Sequence, residues 1–233
     1  MSDEKEEIID EQDGHDAVDP SIGLTPLENM LRKADIAEFM LQMLKKLKVD
    51  CGFRSIKMAN APYDYYSWDL EKRAKFLGAP SYQCLTKTMI MVNYFYREEN
   101  ASDPHYPRFV VVIVQYCRQI SSQKVLNVMK RYQNSFYENQ PEKKVGIKGF
   151  KFRLSENTDM EKLSGYRFNA VTPFFMADQT LPVILDDSIA SLDCGYFWLG
   201  GGRVSLKLGT SVDEFKQHLG KRLIVDKISD SKK

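Results

Sequence analysis

The stretch RFVVVIVQYC, residues 108–117, constrains the fold more than any other part of the sequence. Apolar and β-branched residues follow one another there, which predicts a central strand of a sheet. A second strand is predicted over LTKTMIMVNYF, residues 85–95. Shorter strands are expected in the segments FKFRLS (150–155), NAVTPFF (169–175), LPVILDD (181–187) and on both sides of the glycines in FWLGGGRVSLKLG (197–209).

Helix signals lie between these strands. Capping boxes pair Thr25 with Glu28, Thr158 with Glu161 and Ser211 with Glu214. The first begins an amphipathic helix that extends to about Lys46. Further helices are expected over LEKRAKFLG and SSQKVLNVMKRYQ. Glycines at the ends of three of these segments predict helix stops, namely Gly78, Gly165 and Gly220.

Short strands and short helices interleave without a regular βαβ order. This favours an α+β fold with one mixed sheet, curled and barrel-like, surrounded by helices. We expect a single domain over residues 25–225. Residues 1–24 are expected to form an acidic disordered tail, and residues 226–233 a basic tail.

The net charge of +1 conceals an asymmetry. Residues 1–20 hold nine acidic residues and one lysine, so the remaining 213 residues carry 32 basic and 23 acidic side chains. A basic folded part suits a polyanionic partner such as a nucleic acid, although a solvated lysine and arginine surface would give the same count. One segment is rich in basic residues, namely Lys143, Lys144, Lys148, Lys151 and Arg153.

Several function classes are not expected. No run approaches 18 consecutive apolar residues, and the acidic start lacks the apolar core of a secretory signal, so we expect a cytoplasmic protein with no membrane partner. The four cysteines lack zinc-ligand spacing and are expected to be inert thiols. The three histidines form no metal or nucleophile motif. We therefore expect no metal and no cofactor.

The glycine run in FWLGGGRVSLKLG could be a phosphate-binding loop or only a turn. Walker and Rossmann loops need a helix directly after the glycines, because the helix N-terminus helps to hold the anion. Here an alternating strand pattern follows, in which Val204, Leu206 and Leu208 are apolar. The pattern predicts a hairpin. Backbone exposed at a pocket wall is the remaining functional interpretation.

Four segments in order carry a resemblance: EKRAKFLGAPSYQCLTKTMIMV, GYRFNAVTPF, LPVILDDSI and GGGRVSLKLG. Over about residues 25–220 the chain resembles the YbaK/ProX family of aminoacyl-tRNA editing domains, and within it the eukaryotic branch. The resemblance implies a YbaK-like fold and metal-free hydrolysis of the ester of mischarged tRNA. The implied partners are aminoacyl-tRNA and an aminoacyl-tRNA synthetase, with no DNA.

The resemblance also implies site residues. The family's catalytic lysine falls on Lys87, with Thr88 beside it. Its substrate-holding Gly-x-x-x-Pro loop falls on Asn169, Ala170, Val171, Thr172 and Pro173. Asparagine replaces the first glycine, and it is the residue other than glycine that best tolerates a left-handed backbone. Leu199 stands near the place of a bacterial serine. The hairpin glycines are expected to leave room for substrate, namely Gly200, Gly201 and Gly202.

An aminoacyl ester needs a positioned water and a stabilised oxyanion. Lys87 could supply charge, and backbone amides around Ala170–Thr172 could hold the oxyanion. The alternative interpretations are a solvated lysine and an ordinary strand that ends at a proline. Asp186 is expected to cap a helix rather than catalyse. The aromatic segment with Tyr63, Tyr65, Tyr66 and Trp68 could stack on tRNA bases or pack as a loop.

Three functions follow from these residues. The first is trans-editing deacylation of mischarged tRNA, which would serve translation fidelity. The second is a non-catalytic tRNA- or synthetase-binding module of the same fold, which the change at Asn169 and the missing serine favour. The third is a hydrolase of small esters that uses the same pocket.

Overall fold

The computed structural model describes residues 23–232, so almost all of the predicted acidic tail lies outside the described residues. Six α-helices are present in this part of the chain. A π-helical segment, Lys46–Asp50, extends the first of them. The helices are α1 (Pro26–Lys45), α2 (Leu70–Leu77), α3 (Ser122–Ser135), α4 (Asn157–Ser164), α5 (Asp187–Ala190) and α6 (Val212–Leu219).

Ten strands lie between and around these helices. They are β1 (Lys57–Asn60), β2 (Thr86–Asn93), β3 (Phe109–Gln115), β4 (Arg118–Ile120), β5 (Phe152–Leu154), β6 (Val183–Asp186), β7 (Tyr196–Gly200), β8 (Leu206–Ser211), β9 (Leu223–Asp226) and β10 (Ser229–Ser231).

The main sheet has five strands in the order β5-β2-β3-β6-β9. Its β5, β2 and β3 run antiparallel, while β3, β6 and β9 run parallel, so the sheet is mixed. A three-stranded antiparallel sheet has the order β1-β8-β7, and β4 pairs with β10. The fold is a single α+β domain with curled sheets, as predicted. The sheets do not close into a barrel.

The middle strand β3 explains why there are two main cores. Val111 and Ile113 lie in the core that α1, α4 and α6 cover, while Val110, Val112 and Val114 lie in the core that α3 covers. All five side chains are fully buried. Because both faces of the strand are buried, a nearly continuous apolar run was required, and its prediction as a central strand is confirmed.

Local signals set most helix ends. The Thr25–Glu28 capping box is formed, and Gly78 and Gly165 end α2 and α4 in left-handed conformations. The box predicted at Thr158 is wrong, because α4 begins earlier, after Glu156, and Thr158 lies inside it. Ser211 caps α6, but the Glu214 carboxylate accepts from the amides of Arg54 and Ser55 instead of closing a box.

The C-terminal segment differs from the expected basic tail. Residues 229–231 form β10, and both Ile228 and Ser229 are fully buried. The Ile228 amide donates to the Asp186 carboxylate at 3.0 Å, which ties this segment to the end of β6. Ordered chain therefore continues beyond residue 225.

Candidate functional site

A cavity of about 290 Å3 opens between β2, the turn before α2, the segment after α4 and the β7–β8 hairpin. Five of the residues predicted from the sequence line it together: Lys87, Thr88, Asn169, Val171 and Gly200. These residues come from three separate parts of the chain. The fold therefore brings half of the predicted site residues to one concave surface, as binding sites require.

The β2 wall of the cavity consists of side chains on a regular strand. Lys87 pairs with Val114 and Thr88 with Ile113 in the antiparallel ladder. A bridge between Leu85 and Trp198 joins the start of this strand to β7, and the Thr86 hydroxyl donates to the Trp198 carbonyl at 2.9 Å. Both Lys87 and Thr88 are half-buried, which is consistent with side chains at a cavity wall.

Two buried polar atoms of cavity-lining residues have no hydrogen-bond partner within the described structure. They are the Thr88 Oγ1 and the Trp198 Nε1. A buried donor or acceptor without a partner costs about 1–3 kcal/mol. Both atoms are therefore suited to contact a bound ligand.

The segment Asn169–Pro173 is a loop, so the predicted strand over residues 169–175 is wrong. Asn169 takes a left-handed backbone with φ 62°, a conformation that asparagine tolerates better than other residues except glycine. The Tyr66 hydroxyl donates to the Asn169 carbonyl at 3.1 Å. A second left-handed residue, Phe175, bends the chain again after the proline. A strand could not accommodate these two residues.

The hairpin glycines support this loop rather than leaving open space. A Cβ at Gly200 would overlap the Val171 carbonyl oxygen, and the Gly202 amide donates to the Ala170 carbonyl at 3.1 Å. A Cβ at Gly201 would come within 2.9 Å of Leu206. A side chain is thus excluded at Gly200 by the loop backbone and at Gly201 by the facing strand of the hairpin. The glycines join the antiparallel strands β7 and β8, so the structure has the predicted hairpin at this place and not a phosphate-binding loop.

The remaining predicted residues do not line the cavity: Ala170, Thr172, Pro173, Gly201 and Gly202. Ala170 and Thr172 are buried, and the Ala170 amide already donates to the Arg167 carbonyl at 3.0 Å. Gly202 faces Phe39 and Tyr166. These residues therefore belong to the framework of the loop and the hairpin and not to the cavity surface.

Lys207 on β8 lines the same cavity and was not predicted from the sequence. Its Nζ donates to the Tyr66 hydroxyl at 2.7 Å and to the Val204 carbonyl at 2.8 Å, and lies 4.4 Å from the centre of the Tyr66 ring. Only 6% of the residue is exposed. Burial, together with the nearby Arg73, lowers the pKa of Lys207 to about 7.

A third cation, Arg73 on α2, lies at the same end of the cavity. Its Nε donates to the Trp68 carbonyl at 2.9 Å, and Nη2 donates to the Tyr66 carbonyl. The guanidinium also lies 5.5 Å from the Tyr65 ring and 5.6 Å from the Tyr116 ring. The segment predicted either to stack on bases or to pack is therefore mainly packed, with Tyr65 buried and Tyr63 exposed.

Other candidate residues lie elsewhere. The fully buried Asp186 accepts from the Ser188 amide at 3.1 Å and caps α5, as expected. His105 stacks on Phe136, whereas His218 packs against Phe53. The sulfurs of Cys84 and Cys194 are 3.3 Å apart as free thiols. No group of three or more possible metal ligands occurs among residues 23–232, and no helix there could span a membrane.

Comparisons with protein-family models and with curated proteins found no match to the sequence. Comparisons with solved structures agree with the architecture described above. Among solved structures, a candidate trans-editing enzyme for prolyl tRNA synthetase is similar, with 14% identity and a TM-score of 0.59 over 82% of this chain and 98% of the other. A hypothetical protein has 16% identity and a TM-score of 0.55, covering 81% and 99%. A scaffold protein used for computational epitope grafting has 13% identity and a TM-score of 0.58, covering 83% and 98%.

Proposed function

We propose that the protein is a trans-editing aminoacyl-tRNA deacylase, which hydrolyses the ester of mischarged tRNA in the cytoplasm and so protects translation fidelity. The observation that carries this proposal is the meeting of Lys87, Thr88 and the left-handed Asn169 loop in one cavity. The similarity in fold to a candidate trans-editing enzyme supports it. The sequence resemblance pointed to the same residues.

The proposed reaction needs little more than positioning and charge. A water oxygen attacks the ester carbonyl carbon, the bond to the ribose oxygen breaks, and that oxygen leaves with a proton derived from the water. Lys87 supplies positive charge near the reacting ester or the adjacent phosphate. The Ala170 amide is already engaged, so the amide of the cavity-lining Val171 is the donor proposed for the oxyanion.

A basic and aromatic surface near the cavity suits the tRNA. Strand β5 ends at Leu154 in the cavity wall, and Arg153 and Lys151 precede it along the chain. The Arg153 guanidinium lies 4.4 Å from the exposed Tyr94 ring, and the Lys151 Nζ lies 5.7 Å from the exposed Phe95 ring. Such pairs could contact phosphates and stack on unpaired bases at the 3′ end.

The test is a deacylation panel in which purified full-length protein meets several mischarged tRNAs. We expect one or a few to be hydrolysed, and Lys87→Ala to slow the reaction about 100-fold, as loss of one electrostatic donor does elsewhere. The matched control is Lys57→Ala, which alters an exposed strand lysine outside the cavity. Binding of tRNA without turnover of any ester would instead indicate the non-catalytic module. Hydrolysis of esters that lack a tRNA body would indicate the small-ester hydrolase.

A further inference from the structure

The charged side chains that line the cavity all have one sign. Arg73, Lys87 and Lys207 line it, and no aspartate or glutamate is among its described lining residues. Of these three residues, the sequence resemblance assigns a role to Lys87 alone. The two buried cations, Arg73 and Lys207, therefore need an explanation of their own.

The surroundings of Lys207 supply polar contacts but no counter-charge. The Nζ donates to a phenol and to a backbone carbonyl, both neutral, and lies 5.0 Å from the Tyr65 ring and 4.4 Å from the Tyr66 ring. An ammonium group has three N–H donors, and two of them are used here. The third remains for a ligand in the cavity.

Burial of an ammonium group without a carboxylate is unfavourable. A nearby guanidinium makes it more so, and these two effects lower the pKa of Lys207 to about 7. A surface lysine would avoid the cost by extending into water, but Lys207 is held inward by Tyr66 and Val204. An anion bound in the cavity would supply the missing counter-charge.

We propose that Lys207, assisted by Arg73, forms a subsite for an anionic oxygen group of the substrate, separate from the position of Lys87. The proposal rests on the proposed deacylase function. The shared chemistry is that of a carboxylate or a phosphate, and the substrate offers two sources. One is the side-chain carboxylate of an aspartyl or glutamyl ester, and the other is the phosphate next to the terminal adenosine.

The position of Lys207 relative to the loop supports a subsite within the same ligand. Tyr66 connects the two, because its hydroxyl accepts from the Lys207 Nζ and donates to the Asn169 carbonyl. If the loop holds the ester, an anion at Lys207 is only a few bonds away along the bound molecule. Protonation of Lys207 would strengthen this contact, and the ionisable groups that surround it are Arg73 on α2 and Tyr65 and Tyr66 in the preceding turn.

The experiment measures binding of amide analogues, in which 3′-amino-3′-deoxyadenosine carries an aspartyl or an asparaginyl group, each with and without a 5′-phosphate. Calorimetry compares the full-length wild type with Lys207→Met. We expect one anionic analogue to bind at least tenfold more tightly than its neutral counterpart, and Lys207→Met to abolish the difference. A preference for aspartyl over asparaginyl identifies the side-chain carboxylate, and a preference for the 5′-phosphate identifies the phosphate.

A preference that survives Lys207→Met, or no preference in the wild type, overturns the subsite. Because the variant could fail to fold, the wild type alone provides a second test. The NMR signal of the Lys207 side chain should titrate at higher pH with the anionic analogue bound, and should not move with the neutral one. Deacylation of tRNA measured in parallel separates the two claims, since hydrolysis without any anion preference rejects the subsite and leaves the deacylase.

Discussion

The two walls of the cavity are built in different ways. The β2 wall presents Lys87 and Thr88 from a strand whose backbone is secured by the ladder with β3. The hairpin wall depends on irregular contacts, in which the Asn169 loop lies against Gly200 and is tied through Tyr66 to Lys207. The β2 wall can therefore change its side chains without changing its shape. On the hairpin wall, shape and chemistry depend on the same residues.

The largest expected effect comes from Gly200→Ala. The added Cβ would overlap the Val171 carbonyl oxygen, which is backbone and cannot turn aside. Overpacking of this kind costs about 3 kcal/mol and should displace the loop. We expect a lower free energy of unfolding in urea and loss of deacylation.

The matched control for this prediction is Gly146→Ala. A Cβ at Gly146 meets nothing within 4 Å, and its φ of −70° suits any residue. If Gly200→Ala is as stable and as active as Gly146→Ala, the loop does not depend on the hairpin, and the contrast between the walls disappears.

The second-largest expected effect is that of Lys207→Met on the free energy of unfolding, which should depend on pH. The native pKa of Lys207 lies near 7, below the ordinary value of 10.5, so the unfolded chain binds more protons between these two values. Wild-type stability should therefore rise with pH through this window, and the burial penalty is fully present below pH 7. The gain in the free energy of unfolding from Lys207→Met should be larger at pH 6 than at pH 9, by roughly 3 kcal/mol.

Urea unfolding of both proteins at the two pH values measures this difference directly. Lys57→Met is the matched control, because Lys57 is an exposed lysine on a neighbouring strand. An advantage that is equal at both pH values would mean that Lys207 keeps its proton throughout, as an ordinary surface lysine does. The hairpin wall would then differ from the β2 wall in shape only.

The walls also differ in how far the sequence predicted them. The β2 wall was predicted well, because the strand-like run over residues 85–95 reports the period and burial of a strand, and β2 occupies residues 86–93 of it. The strand pattern was misleading for the loop, which only the family resemblance indicated, because residues 169–175 are mostly apolar and resemble a strand, while the course of the chain depends on two left-handed residues. Local propensity does not report such tertiary constraints.

The burial of Lys207 is a second feature that local sequence patterns do not predict. It occupies a polar position of an alternating strand, and such positions are normally solvated. Here the turn before α2 and α2 itself cover that face, with Tyr65, Ala74 and Leu77 packed into a third core. The sequence near residue 207 does not predict this burial, because the residues that cover Lys207 lie about 130 positions earlier in the chain.

The smallest expected effect separates function from stability on the β2 wall. Thr88→Val removes a buried hydroxyl that has no partner in the described structure, and it keeps the β-branched shape. We expect a gain of about 1 kcal/mol in the free energy of unfolding. If the hydroxyl binds the substrate, deacylation should fall about tenfold.

Thr86→Val, two residues earlier, is the matched control and should act oppositely on stability, because the Thr86 hydroxyl donates to the Trp198 carbonyl. A destabilised Thr88→Val with full activity would show that this hydroxyl serves the fold and not the substrate, so that side chains of the β2 wall do not change without a cost to its structure.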